Sequence, residues 1–270
     1  MISVYFPDSY VQEWCLLKGN QYLAYATCKC VLSSVTADAI RAEELRNFLE
    51  KLVQELGSVE DRHAEGETSW RAASILDLFQ HLFGSTTEEV KRICVDSLQE
   101  HWISLTSRFL QPPDSQISPV ALFAFLSLWK KVLNVPVAAA WCVEEDRKAT
   151  SILLQYVTCA KTKGYVRLKT VGLLNKLMAF EMEDRRDKSD GRFYSYEIAD
   201  QVVDWIQAGR LSEAVCREGS AVFGWTLTDH APQHTYSTDI LFRRKLALLC
   251  LRTISFTLAK HRNEEYIREA

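Results

Sequence analysis

Glycine and proline are scarce, with 10 and 6 among 270 residues. That excludes collagen-like and low-complexity chains and argues against turn-rich β architecture. Charge of one sign is also lacking. The chain carries 32 Lys+Arg against 35 Asp+Glu, a formal net charge of -3. A balance so near neutrality gives no bulk attraction for nucleic acid or an acidic membrane. Long hydrophobic runs are missing too. The longest, PVALFAFLSLW, reaches about half of the ~20 residues a membrane-spanning helix needs. The opening MISVYFPDSY has no basic segment leading into an apolar one, so it does not read as a signal peptide.

Eight cysteines are present: Cys15, Cys28, Cys30, Cys94, Cys142, Cys159, Cys216 and Cys250. They lack the dense spacing of a disulfide framework. Several stand inside apolar periodic stretches, as Cys94 does in VKRICVDSL and Cys250 in LALLCLRTI. In such places Cys is a small buried hydrophobe. A reducing compartment is expected.

What is present is helical periodicity. In ELRNFLEKLVQEL, Leu45, Phe48, Leu49, Leu52, Val53 and Leu56 form one apolar stripe. Gly57 stands where a C-cap glycine is expected. The next helix is expected from about Thr68 to Phe83, stopping at Gly84. Thr86 and Glu89 have capping-box spacing, and a helix from about Thr87 to Phe109 follows. Pro112 and Pro113 break it. Ser118-Pro119 opens a helix apolar nearly all round, carrying Leu122, Phe125, Leu126, Trp129 and Val132, which predicts a central position. Further helices are expected at about 136–145, 147–161, 164–181 and 194–207. Glu183 to Arg192 reads as a solvated loop. Residues 218–237 form one long irregular stretch, with Phe223 and Trp225 among Gly, Thr and Pro. A last helix is expected from Thr238 to about Lys260, followed by a charged, fraying tail at 261–270.

About ten helices and no convincing strand predict an all-α chain: an armadillo/HEAT-like helical repeat stack, an α-α superhelix, in one domain over 1–260. No recurring consensus marks the repeats. Such stacks present concave surfaces to partners, so a scaffold or adaptor is the expected role.

Catalytic and metal chemistry finds little footing. His230-x-x-x-His234, with Asp229 and Cys216 nearby, is the strongest metal candidate. Pro232 between the two histidines breaks the helical spacing that would aim both at one ion, and no second ligand pair closes a tetrahedron. Cys28 and Cys30 would lie about 200° apart on a helix. No Gly-x-Ser-x-Gly elbow and no phosphate-binding glycine motif occurs. The expectation is therefore no catalytic residue, no metal and no cofactor. Two basic clusters stand out. Lys161, Lys163, Arg167 and Lys169 surround Gly164-Tyr165, and Arg243-Arg244-Lys245 begins the last helix. Runs this short are more often solvated faces than phosphate-binding sites, so direct nucleic-acid binding is not expected. The candidate partner-binding residues are Lys163, Arg167 and Lys169 on a basic edge, and Trp225 in the irregular stretch.

Four segments, in order across most of residues 15–260, resemble proteins of the Lines family. They are GNQYLAYATCKCVLSSV, YVRLKTVGLLNKLMA, SYEIADQVVDWIQAGRL leading to the Phe223-Gly224 turn, and STDILFRRKLALLCLRTISFTLAK. The sequence departs from the family where Arg210 separates Gly209 from Leu211. Family chains are longer at both ends, which implies a truncated form here. The resemblance implies a non-enzymatic helical-repeat regulator that moves between cytoplasm and nucleus. It implies modulation of Wnt-type developmental signalling through protein partners, zinc-finger transcriptional regulators of the odd-skipped type among them. No binding residue is carried over. The alternative is an unrelated HEAT/ARM-like scaffold in genome maintenance or trafficking.

Overall fold

A computed structural model describes residues 42–58, 67–85, 88–115, 117–135, 138, 149–183, 197–211, 213–214 and 233–269. Every regular element among them is a helix. In chain order they are α1 (Ala42–Ser58), α2 (Glu67–Ser85), α3 (Glu88–Gln99), α4 (Trp102–Phe109), α5 (Pro119–Val132), α6 (149–158), α7 (Gly164–Glu183), α8 (Glu197–Gln207) and α9 (Gln233–Glu269). The chain divides into two compact units, residues 1–142 and 143–270.

In the first unit, α2 packs mainly on α5, and α1 on α3. The stripe expected on α1 is buried at Leu45, Leu49, Leu52, Val53 and Leu56, with Phe48 half-buried. Helix α5 is central, as its all-round apolar surface predicts: nine of its fourteen residues are buried, so two opposite faces both meet protein. Pro119 sits in its first turn, and the Ser118 carbonyl accepts from Leu122 N–H at 3.0 Å. Trp102, Phe109, Phe125 and Trp129 form one aromatic cluster. Phe109 stacks on Phe125 at 5.4 Å, and Trp102 meets Trp129 edge-on at 5.7 Å. Both tryptophans are core anchors.

The sequence expectation of one helix from Thr87 to Phe109 is corrected. A turn at Glu100-His101 separates α3 from α4, and His101 N–H bonds back to the Leu98 carbonyl at 3.1 Å. The stripe Cys94, Leu98, Trp102, Leu105, Phe109 keeps spacings of three and four across the break, so periodicity alone reads through it. Gly57 and Gly84 are likewise corrected: both lie inside the last turn of their helices. Thr86 lies outside the described residues. The end of α1 is capped from a distance. Its last turn carries no basic residue, and Arg108 of α4 donates a guanidinium N–H to the Leu56 carbonyl. Glu55, buried on α1, pairs with Arg71 of α2.

In the second unit, α7 packs along α9, and α8 touches both. Gly172 permits the close approach. A Cβ there would stand 3.1 Å from the Nζ of Lys245, whose stem lies over the glycine. Asn175, buried on α7, donates from Nδ2 to the carbonyl of Lys245 at 2.7 Å and to its own Val171 at 3.0 Å. Arg252 of α9 donates to the Asn175 carbonyl. The facing stripe of α9 is Phe242, Leu246, Leu249, Thr253 and Phe256.

Helix α8 starts against a carboxylate from α7. Glu181 is buried, and its two oxygens accept from the N–H groups of Ile198 at 3.3 Å and Ala199 at 3.1 Å. Those are orphan donors of a helix first turn, and the negative charge sits at the positive end of the helix dipole. At the other end Gly209 has φ 76°, and its N–H bonds to the Ile206 carbonyl at 3.0 Å. This is a left-handed C′ glycine closing α8. Helix α9 starts at Gln233 and runs to Glu269, so 233–237 and the charged tail to 269 are helical where irregular chain and fraying were expected. The solvated loop expected at Glu183 to Arg192 lies, after Glu183, outside the described residues.

Candidate functional site

The predicted basic edge centres on the turn joining α6 to α7. Helix α6 closes with Cys159 N–H bonded to the Gln155 carbonyl at 2.8 Å. The chain turns through Lys161 and Thr162, and Thr162 N–H bonds to Cys159 O at 3.3 Å. The Lys163 carbonyl then accepts from Val166 and Arg167 N–H at 3.0 and 3.1 Å and starts α7. Gly164 follows with open space about it. Lys161, Lys163 and Tyr165 are exposed, and Lys169 is half-buried one turn beyond Tyr165. Residues 165 and 169 share a helix face at i, i+4, so Tyr165 and Lys169 extend the exposed turn along α7. Partial burial raises the Tyr165 phenol above its usual value.

Arg167 does not belong to that edge. It is only 5% exposed. Its Nε donates to the Val157 carbonyl of α6 at 3.0 Å, and its guanidinium carbon lies 4.9 Å from the ring centroid of Phe242 on α9. The correction follows from helical geometry. Residue 167 is two positions from 165, about 200° round the helix, so it falls into the buried stripe of Val166, Thr170, Val171 and Leu174. A cluster in sequence is thus split: Lys161 and Lys163 outward, Arg167 inward as a tie between three helices. The basic edge narrows to Lys163 and Lys169, with Lys161 and Tyr165 beside them.

Trp225, the other candidate, lies outside the described residues, as do Cys216, Asp229 and His230; His234 falls in the first turn of α9. Among the described residues no group of three or more His, Cys, Asp and Glu could hold a metal ion. Also among them, no helix is long and apolar enough to cross a membrane. The described cysteines are Cys94, Cys159 and Cys250, all free thiols. Burial pushes the Cys94 thiol up to about 12, which keeps it protonated as a core group. Cys250 is raised in the same direction by desolvation, partly offset by a backbone hydrogen bond. The second basic cluster is also divided. Arg243 and Arg244 are exposed, whereas Lys245 is half-buried over Gly172.

The sequence alone missed the distal caps, Arg108 on α1 and Glu181 on α8. No local motif signals them, because each partner stands on another helix, 52 and 17 residues away. Compared with known proteins, the chain matches no family model, no curated protein and no solved structure.

Proposed function

We propose that the chain is a non-enzymatic adaptor of the Lines type, an armadillo/HEAT-like helical stack that modulates Wnt-type developmental signalling by binding protein partners. The observation that carries this reading is the exposed turn before α7. Lys161, Lys163 and Tyr165 are presented on an all-helical scaffold whose buried charged groups, such as Arg167 and Glu181, are engaged within the fold. A basic turn with a phenol beside it suits an acidic protein segment, which would gain charge-assisted hydrogen bonds there. The ordered resemblance across residues 15–260 supports the Lines reading. On this reading the partners are zinc-finger transcriptional regulators of the odd-skipped type, met in cytoplasm and nucleus, and neither membrane nor nucleic acid is contacted directly.

A second reading is an unrelated HEAT/ARM-like scaffold acting in genome maintenance or trafficking, which the all-helical order of elements suits equally. Proximity labelling in cells separates the two. Repeated recovery of zinc-finger regulators, with label in nucleus and cytoplasm, supports the first. Recovery of repair or vesicle proteins in their place supports the second, and recovery of no recurrent protein removes both.

A further inference from the structure

Helix α9 is apolar on two opposite faces, and only one is covered by its own unit. The inner stripe Phe242, Leu246, Leu249, Thr253 and Phe256 packs inward. On the far side Leu241, Leu248, Leu251, Ile254 and Leu258 are each 44–66% exposed. These five offer on the order of 400 Å² of apolar surface, within the range of the largest patches monomers carry. Their spacing is that of a coiled-coil seam. Leu241 and Leu248 are seven apart, as are Leu251 and Leu258, and Leu248 and Leu251 are three positions apart.

We infer that this outer face of α9 binds a second copy of the same chain, antiparallel, about a two-fold axis between Leu249 and Cys250. The seam is palindromic. Turned about that axis, Leu241 meets Leu258 of the partner, and Leu248 meets Leu251. That is the a-against-d alternation of antiparallel helices, and an isologous pair must be self-complementary in this way. Arg244 fixes the direction. It is exposed within the seam, one turn from Leu241 and Leu248. A parallel pair in register would set Arg244 against its own copy, with two like charges in the apolar seam. The antiparallel pair sets it against Ser255, where its stem lies along the leucines and its head reaches water. Ala247 and Ile254 flank the seam on one side without charge; Lys245 and Arg252 flank it on the other, both half-buried and drawn inward to Gly172 and the Asn175 carbonyl. A stable pair buries ~800 Å² per partner; the five side chains supply about half of that, and neighbouring positions on the helix must supply the rest. Ala247, Ser255 and the Arg244 stem lie on the same face of a helix that extends over 37 residues, ~55 Å.

Sedimentation of the purified full chain, with and without substitution, tests the inference. The wild-type chain is expected at twice its 30.9 kDa mass, and Leu248→Glu with Leu251→Glu at once that mass, with unchanged circular dichroism because both positions are exposed. Mixing a Leu241→Cys chain with a Leu258→Cys chain is expected to give a 241–258 disulfide between chains, identified in the linked peptides by mass spectrometry. A monomeric wild-type chain overturns the inference, and so does a dimer that survives both glutamates. A 241–241 link in the Leu241→Cys chain alone shows a parallel pair and equally overturns it.

Discussion

The guanidinium of Arg167 stacks over the ring of Phe242 at 4.9 Å while its Nε holds the Val157 carbonyl at 3.0 Å. One side chain thereby joins α6, α7 and α9. A desolvated cation over an aromatic ring contributes about 2 kcal/mol, and a hydrogen bond from a charged donor about 1.5–3. Arg167→Ala is therefore expected to lower stability by about 2–4 kcal/mol in denaturant unfolding, and Arg167→Lys to recover only part. An exposed, partner-facing arginine would show a change within about 0.5 kcal/mol.

Glu181 at the start of α8 makes a second test. Removing the carboxylate leaves the buried N–H groups of Ile198 and Ala199 without their acceptor. Glu181→Ala is expected to cost about 2–3 kcal/mol, and Glu181→Gln about 1, since the amide keeps one acceptor oxygen but loses the charge at the helix dipole. Hydrogen exchange should show the loss first at 198 and 199. Equal protection there in wild type and Glu181→Ala would contradict the capping role.

Cys94 predicts a pH dependence. Its folded pKa is about 12, raised by burial from a usual 9.0. The folded state thus holds the proton more tightly than the unfolded state. The associated stability is fully present below about pH 9 and is lost as pH rises toward 12, by up to about 1.4 kcal/mol per pH unit. Urea unfolding between about pH 8 and about pH 10 should fall more steeply for wild type than for Cys94→Ala. The same burial predicts that thiol reagents modify Cys159 and Cys250 well before Cys94 in the folded chain.

Gly209 is a backbone test. Its φ of 76° is left-handed, and an L side chain there costs about 1–2 kcal/mol. Gly209→Ala should lower the unfolding midpoint accordingly, while Gly57→Ala, inside a helix end with open space beside it, should be neutral or stabilising.

What could be read in the sequence was local. The α1 stripe, the all-round apolar α5 behind Ser118-Pro119, the core roles of Trp102 and Trp129, and Cys94 as a buried hydrophobe each follow from spacing along a few turns. The turn at Glu100-His101 was not legible, because the apolar stripe keeps its spacing through it and neither glycine nor proline marks it. The helical course of residues 261–269 was hidden by high charge, which signals solvent but not the backbone beneath. At the candidate site Lys163 is exposed, whereas Arg167 is buried. Four basic residues within nine positions look like one patch in a linear chain, but the 100° step of a helix turns Arg167 toward Phe242, which is 75 residues away.

The central claim, that an exposed basic turn before α7 receives a protein partner, is tested most directly by proximity labelling with the wild-type chain and a Lys163→Glu, Lys169→Glu chain. Both should be folded, as judged by equal circular dichroism and a cooperative unfolding transition in each. The wild-type chain is predicted to label a recurrent set of proteins, and the charge-reversed chain to lose most of that set. Equal labelling by the two folded chains would contradict the claim.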